Sequence, residues 1–119
     1  MVMKALIIDD ELDTCLLLSG ILIRNNLEPY CITTLSEIER ALENYRPAII
    51  FLDNNLPDGL GMQYIAKIKM AYPKVKIVMI TANDSNVIKD IALEKGADLF
   101  LGKPFTIHAI NAAVNKLFA

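Results

Sequence analysis

The sequence predicts an α/β protein: a doubly wound sheet of five parallel strands, in the order 2-1-3-4-5, with five helices. Two observations carry that expectation. Short apolar runs alternate with amphipathic stretches of helical period along the chain, and such alternation builds a parallel sheet with right-handed crossovers and helices on both faces. Four of the runs also stop at polar residues. Ala5-Leu6-Ile7-Ile8 runs into Asp9-Asp10, and Ala48-Ile49-Ile50-Phe51-Leu52 into Asp53; Val75 to Ile80 runs into Thr81, and Leu99-Phe100-Leu101-Gly102 into Lys103-Pro104. In one parallel sheet their carboxyl ends lie side by side, at the edge where open α/β sheets place ligands.

After the first run, Leu12, Cys15, Leu16, Ser19 and Ile23 repeat at three-to-four spacing, which predicts a helix from about Glu11 to Asn25. Glu28 to Thr33 reads as a weaker second strand. Thr34 or Ser36 can cap the following helix, which keeps Ile38, Ala41 and Leu42 on one face and ends before Pro47. The run to Leu52 is bare of polar residues, as a strand buried on both faces should be. Asn54 to Gly61 is rich in turn formers. The next helix carries Met62, Ile65, Ala66, Ile68 and Lys69 and is closed by Pro73. Asp84 or Ser85 caps a fourth helix with Val87, Ile88, Ile91 and Ala92, and Gly96 ends it. A fifth helix runs from about Thr106 through Ile107, Ile110, Val114 and Leu117. No repeat or linker interrupts the pattern, so residues 1–119 are expected as a single domain. In the flavodoxin-like strand order, strands one and three flank the point where the order reverses, and Asp9, Asp10 and Asp53 fall at their ends.

The composition, 54% apolar and 22% charged over 119 residues, is that of a chain able to bury a core. A formal net charge of -2 offers no general attraction to nucleic acid or anionic lipid, so neither is expected as a direct partner. Cys15 and Cys31 lack CxxC spacing and are expected as two reduced core thiols. Asp9 and Asp10 cut short any signal-peptide core, and Cys15 to Ile23 is too short to cross a bilayer. A cytoplasmic protein without membrane contact is therefore expected.

Clustered carboxylates repel one another and call for a cation. Mg²⁺ takes hard oxygen ligands, usually one or two carboxylates with waters and phosphate oxygens. Lys103 adds a compact positive charge that can pair with Asp53 at rest or with a phosphate, and Thr81 adds a small hydroxyl donor. A carboxylate can attack phosphorus to give an acyl phosphate, with cation and ammonium neutralising the equatorial oxygens. Taken singly, Asp9-Asp10 could simply complement the first helix dipole. Asp53 and Lys103 could be solvated. Their joint placement at strand ends, with Pro57-Asp58-Gly59 after Asp53, points to phosphoryl chemistry.

The motifs Ile7-Ile8-Asp9-Asp10-Glu11, Asp53-x-x-Leu56-Pro57-Asp58-Gly59, Thr81-Ala82 and Lys103-Pro104-Phe105 occur in order. Over essentially its whole length the chain resembles the CheY-like receiver domain of two-component response regulators. The resemblance implies that Asp53 is the phosphoacceptor, receiving a phosphoryl group from a sensor histidine kinase or a histidine phosphotransfer protein. It implies that Asp10 binds magnesium directly, Asp9 mostly through water, and Asn55 through its backbone carbonyl. Thr81 and Lys103 would each hold a phosphoryl oxygen, and the Lys103–Pro104 bond would be cis, fixing the aim of Lys103. Phe100 stands at the position of a switch aromatic, turning inward as Thr81 moves toward the phosphate. It carries no hydroxyl, which a tyrosine-dependent output would need. Asn55 and Asn83 flank the acceptor and Thr81, and this amide pair is expected to set phosphoryl lifetime by placing water. Asn54 departs from the commoner pattern.

His108, on the last helix and without an acidic partner, reads as solvent-facing or partner-facing. Leu12, Leu16, Leu17 and Leu18 exceed one apolar stripe, and the excess suits a docking kinase or phosphotransfer helix. An aspartate-nucleophile phosphatase would want Asp-x-Asp at strand one and a cap, and a flavin module would want a Ser/Thr/Gly-rich phosphate loop there. This chain has neither. A phosphorylation-independent scaffold would not require Asp10, Asp53, Thr81 and Lys103 together. No turnover on an external substrate is expected beyond self-catalysed transfer to Asp53 and its decay. No effector segment follows Ala119, so a free-standing regulator acting on a downstream protein and a receiver cut from a larger regulator or hybrid kinase are both open. The last helix lacks arginine, so the charge network of receivers that dimerise to drive winged-helix domains looks incomplete.

Overall fold

The computed structural model describes residues 2–83 and 85–119. Five strands, β1 (Met3–Ile8), β2 (Leu27–Ile32), β3 (Ile49–Asp53), β4 (Lys76–Thr81) and β5 (Leu99–Gly102), form one parallel sheet. Their order is β2-β1-β3-β4-β5, as the alternating pattern predicts. The helices are α1 (Leu12–Arg24), α2 (Ile38–Tyr45), α3 (Ile65–Ala71), α4 (Asn86–Glu94) and α5 (Ile107–Phe118).

Side chains that alternate along the strands fill two cores. Ala5, Ile7, Ile49, Phe51, Val78 and Ile80 pack with Cys15, Leu18 and Leu22 of α1 and Ile110 and Val114 of α5. Leu6, Ile8, Ile50, Leu52, Ile77 and Met79 pack on the other face with residues of α2, α3 and α4. The inner stretches of the central strands, Ala5–Ile8, Ile49–Leu52 and Ile77–Ile80, are thus buried on both sides, which is why they carry no polar residue.

Several boundaries follow from local chemistry. A single 3₁₀ turn, Leu35–Glu37, precedes α2, and the Thr34 amide donates to Glu37 Oε2 at 3.1 Å. Ser85 caps α4 by accepting from the Ile88 amide, whereas Asp84 lies outside the described residues. Thr106 caps α5 in the same way, accepting from the Ala109 amide. Gly96 follows α4 at φ 117°, a conformation that costs a side-chain-bearing residue more.

The structure departs from expectation in three places. The turn-rich segment after β3 contains a small antiparallel hairpin, Asn55–Leu56 against Gly59–Leu60, and a second 3₁₀ turn, Gly61–Tyr64, delays α3. On α4 only Ala92 is buried, and Val87 is exposed. Cys15 and Cys31 are not separate reduced core thiols: they are joined as a disulfide, and Cys31 is exposed. The strand register explains the pairing. Cys31 lies opposite Ile7, on the sheet face that α1 covers, and α1 presents Cys15 to that same core.

Candidate functional site

The sheet register assembles the site, because each of its residues stands at a strand end. Ile8 pairs with Leu52, so Asp9 and Asp53 follow on neighbouring strands. Asp53 pairs with Ile80, one before Thr81, and Thr81 pairs with Gly102, one before Lys103. Two further backbone bonds extend the alignment beyond the strands: the Asp9 amide donates to Ile32 O at 3.0 Å, and the Lys103 amide to Thr81 O at 2.8 Å.

One carboxylate oxygen each from Asp9, Asp10 and Asp53 lies within 4.8 Å of the others. Asp9 and Asp53 are buried, and Asp10 is exposed. Lys103 Nζ sits 2.7 Å from Asp9 Oδ2, 2.8 Å from Glu11 Oε1 and 3.6 Å from Asp53 Oδ2. Its resting partners are therefore Asp9 and Glu11 first, and Asp53 only as the longest contact. Burial disfavours the Lys103 charge, but Asp9, Glu11 and Asp53 outweigh it and hold the ammonium above the usual lysine range.

Asp53 moves the other way. Burial, and then repulsion from Asp9, raise its carboxyl to about 6, against the opposing pull of Lys103 and the amides of Asn55 and Asn54. Asp9 Oδ1 accepts from the Glu11 amide at 2.9 Å. Its Oδ2 has the Lys103 ammonium as its one partner among the described residues. A buried oxygen so placed, beside two more carboxylates of which one faces solvent, is the donor set of a small hard dication. The cluster fits a magnesium site.

The loop after Asp53 is shaped by three residues, Asn54, Asp58 and Gly61. Asn54, buried, accepts from the Met62 amide through Oδ1 at 3.0 Å, and its backbone oxygen accepts from the Gly61 amide at 2.8 Å. The residue that departs from the commoner pattern thus fastens the loop to the turn leading into α3. A Cβ on Gly61 would overlap the backbone oxygen of Asp53, so only glycine lets the chain pass there. Asp58 accepts from the amides of Leu35 and Ser36 at 2.9 and 3.0 Å, tying the hairpin to the start of the Leu35–Glu37 turn.

Thr81 is fully buried, and its Oγ1 accepts from the Asn83 amide at 3.3 Å. Opposite it, Gly102 has no side chain. Phe100, two residues earlier on β5, is half-buried against the same core face as Met79. Asn55 and Asn83 are exposed at the rim. The Lys103–Pro104 peptide bond is cis. His108 is exposed on α5, away from these groups in the sequence. Glu11, Asn54 and Gly61 take part without a role assigned by the motifs, although Glu11 closes the acidic motif and Asn54 stands out there as a departure from the commoner pattern.

The sequence pattern of the response regulator receiver domain matches residues 5–115. The transcriptional regulatory protein BasR of Escherichia coli (strain K12) is 32% identical over 118 residues, covering 97% of this chain and 52% of BasR. This chain thus spans about half the length of that curated relative. Among solved structures, the beryllofluoride-activated NtrC4 receiver domain dimer matches with a TM-score of 0.91 at 32% identity, covering 97% of this chain and 95% of that one. A two-component response regulator from Clostridium difficile matches at 0.90 and 28%, covering 97% and 94%. No described helix is long and apolar enough to cross a membrane. The likeness runs from the first strand into the last helix, and the chain belongs to the receiver domains of two-component response regulators.

Proposed function

We propose that this receiver domain is a phosphorylation switch in which Asp53 accepts a phosphoryl group from a phosphohistidine donor with Mg²⁺ bound beside it. The single observation that carries the reading is the convergence of Asp9, Asp10 and Asp53 with Lys103 at adjoining strand ends. In the transfer, an Asp53 carboxylate oxygen bonds to phosphorus as the phosphorus–nitrogen bond breaks, and the imidazole leaves with the electron pair. Asp53, with a carboxyl at about 6, is mostly ionised at neutral pH and able to act as nucleophile. Asp10, Asp9, Asp53 and the Asn55 carbonyl would hold the magnesium ion. Bound there, the ion supplies positive charge against the phosphoryl oxygens.

Lys103 is poised to leave Asp9 and Glu11 and take one phosphoryl oxygen, and Thr81 to take another. The Thr81 hydroxyl would give up the Asn83 amide as it turns. The bare position at Gly102 and the half-buried Phe100 ring supply the room and the mobile wedge for a two-state shift. Asn55 and Asn83, at the rim, are placed to orient the water that ends the phosphorylated state. The donor would be a sensor histidine kinase or a histidine phosphotransfer protein. The output would pass through a downstream protein or an effector domain, in the cytoplasm.

Beryllofluoride, an acyl-phosphate mimic, tests the switch. With Mg²⁺ it is expected to give a bound ¹⁹F resonance and to shift the amide signals of Thr81 and Phe100. Asp53→Asn is expected to lose both. A bound resonance that survives in Asp53→Asn would move the acceptor elsewhere.

A further inference from the structure

The pair Cys15 and Cys31 has no place in the phosphoryl chemistry, yet it lies directly beneath the site. The two Cα atoms are 6.3 Å apart, within the span that a disulfide bridges. Cys15 Sγ is 3.4 Å and Cys31 Sγ 3.8 Å from the backbone oxygen of Asp9. Asp9 is the buried carboxylate that pairs with Lys103. As thiols the two side chains are S–H donors to that carbonyl, and as a disulfide they have no hydrogen to give. As a disulfide they also tie α1, which begins just after Asp9-Asp10-Glu11, to edge strand β2. Accessibility differs between them: Cys31 is exposed, and Cys15 is 5% exposed.

We propose that Cys15 and Cys31 form a reversible dithiol/disulfide pair whose state tunes cation binding at the acidic site through Asp9. The oxidant is a small-molecule disulfide of the glutathione class. The exposed Cys31 thiolate attacks one sulfur of that disulfide, its sulfur–sulfur bond breaks, and one small thiolate leaves. Cys15 then attacks Cys31 in the mixed disulfide and expels the second. The protein dithiol is oxidised by two electrons, the small disulfide is reduced to two thiols, and the two protons end on them. Ordering α1 against β2 pre-organises Asp9 and Asp10 and outweighs the loss of the two weak S–H contacts to the Asp9 carbonyl, so the oxidised form binds the cation more tightly. The tuning half of the proposal rests on the magnesium reading above, whereas the redox half does not.

The full 119-residue chain is equilibrated in mixtures of reduced and oxidised glutathione, trapped with iodoacetamide and weighed intact. With only two cysteines present, two adducts mark the dithiol and none marks the disulfide. Magnesium affinity of each form is read by calorimetry. Reversible interconversion is expected, with the oxidised form binding Mg²⁺ several-fold more tightly because its ligands are already ordered. Cys31→Ser, changed at the exposed position, is expected to bind equally in every mixture. Thiols that alkylate fully in all mixtures would overturn the pair. Equal affinities of the two forms, or a redox-dependent affinity persisting in Cys31→Ser, would overturn the coupling. If neither form binds magnesium, the metal reading and the tuning fail together, and the mass data alone decide the redox pair.

Discussion

Replacing Asp53 by Asn should make the metal-free protein more stable, although it removes the residue on which the proposed function depends. The charged carboxylate is disfavoured in the folded state, where its carboxyl stands at about 6 against an ordinary aspartate value of 3.8. Below pH 3.8 the group is protonated in both states and costs nothing. Between 3.8 and about 6 the unfolded chain ionises while the folded protein resists, and above about 6 the penalty is complete. A shift of that size corresponds to about 3 kcal/mol. Asparagine keeps the shape without the charge, and Lys103 keeps Asp9 and Glu11 as partners. In chelator-treated protein near pH 8, Asp53→Asn is expected to exceed the wild type by about 3 kcal/mol, or about 12 °C in Tm for a domain of this length. Near pH 4 the gap should shrink to about half a kcal/mol. With no tryptophan in the chain, urea unfolding followed by far-ultraviolet circular dichroism is the suitable assay. Millimolar Mg²⁺ should close the gap by stabilising the wild type alone. A variant no more stable than the wild type near pH 8, or a gap that ignores pH, would refute the electrostatic reasoning.

Lys103→Met leaves Asp9 and Asp53 buried without a cation. It is expected to cost roughly 3 kcal/mol in metal-free urea unfolding, partly recovered on adding Mg²⁺. Gly61→Ala sets a methyl against the Asp53 backbone oxygen and is expected to cost roughly 2 kcal/mol in the same assay, with no recovery by Mg²⁺. Asn83→Ala should slow the decay of the phosphorylated form several-fold without abolishing phosphorylation. An unchanged decay rate, followed by intact mass over time, would remove Asn83 from that role.

The parts of this protein legible in its sequence are those that one-dimensional chemistry determines. A strand buried on both faces must be apolar, so the runs ending at Ile8, Leu52, Ile80 and Gly102 announce the strands, and the polar residues that follow them stand out as more than packing requires. The strand order follows because the crossovers have one hand. What escapes are contacts set by side-chain reach and register. Glu11 meets Lys103 across 92 positions of sequence, and nothing local in either residue specifies it. Asn54 finds the Met62 amide only because a 3₁₀ turn folds back over β3. Cys15 and Cys31 meet because Cys31 falls opposite Ile7 and not Leu6; a one-residue slip would turn it to the other face. Val87 follows the helical period of α4 yet is exposed, and Ala92 is the only residue of that helix that is buried.

The proposed switch depends on Asp53 accepting a phosphoryl group with magnesium bound beside it. Intact mass after incubation with acetyl phosphate and then a phosphohistidine donor, each with and without Mg²⁺, tests it most directly. The expected result is one hydroxylamine-labile phosphoryl adduct that requires Mg²⁺ and is absent from Asp53→Asn. An adduct that persists in the variant, or none from either donor, would contradict it.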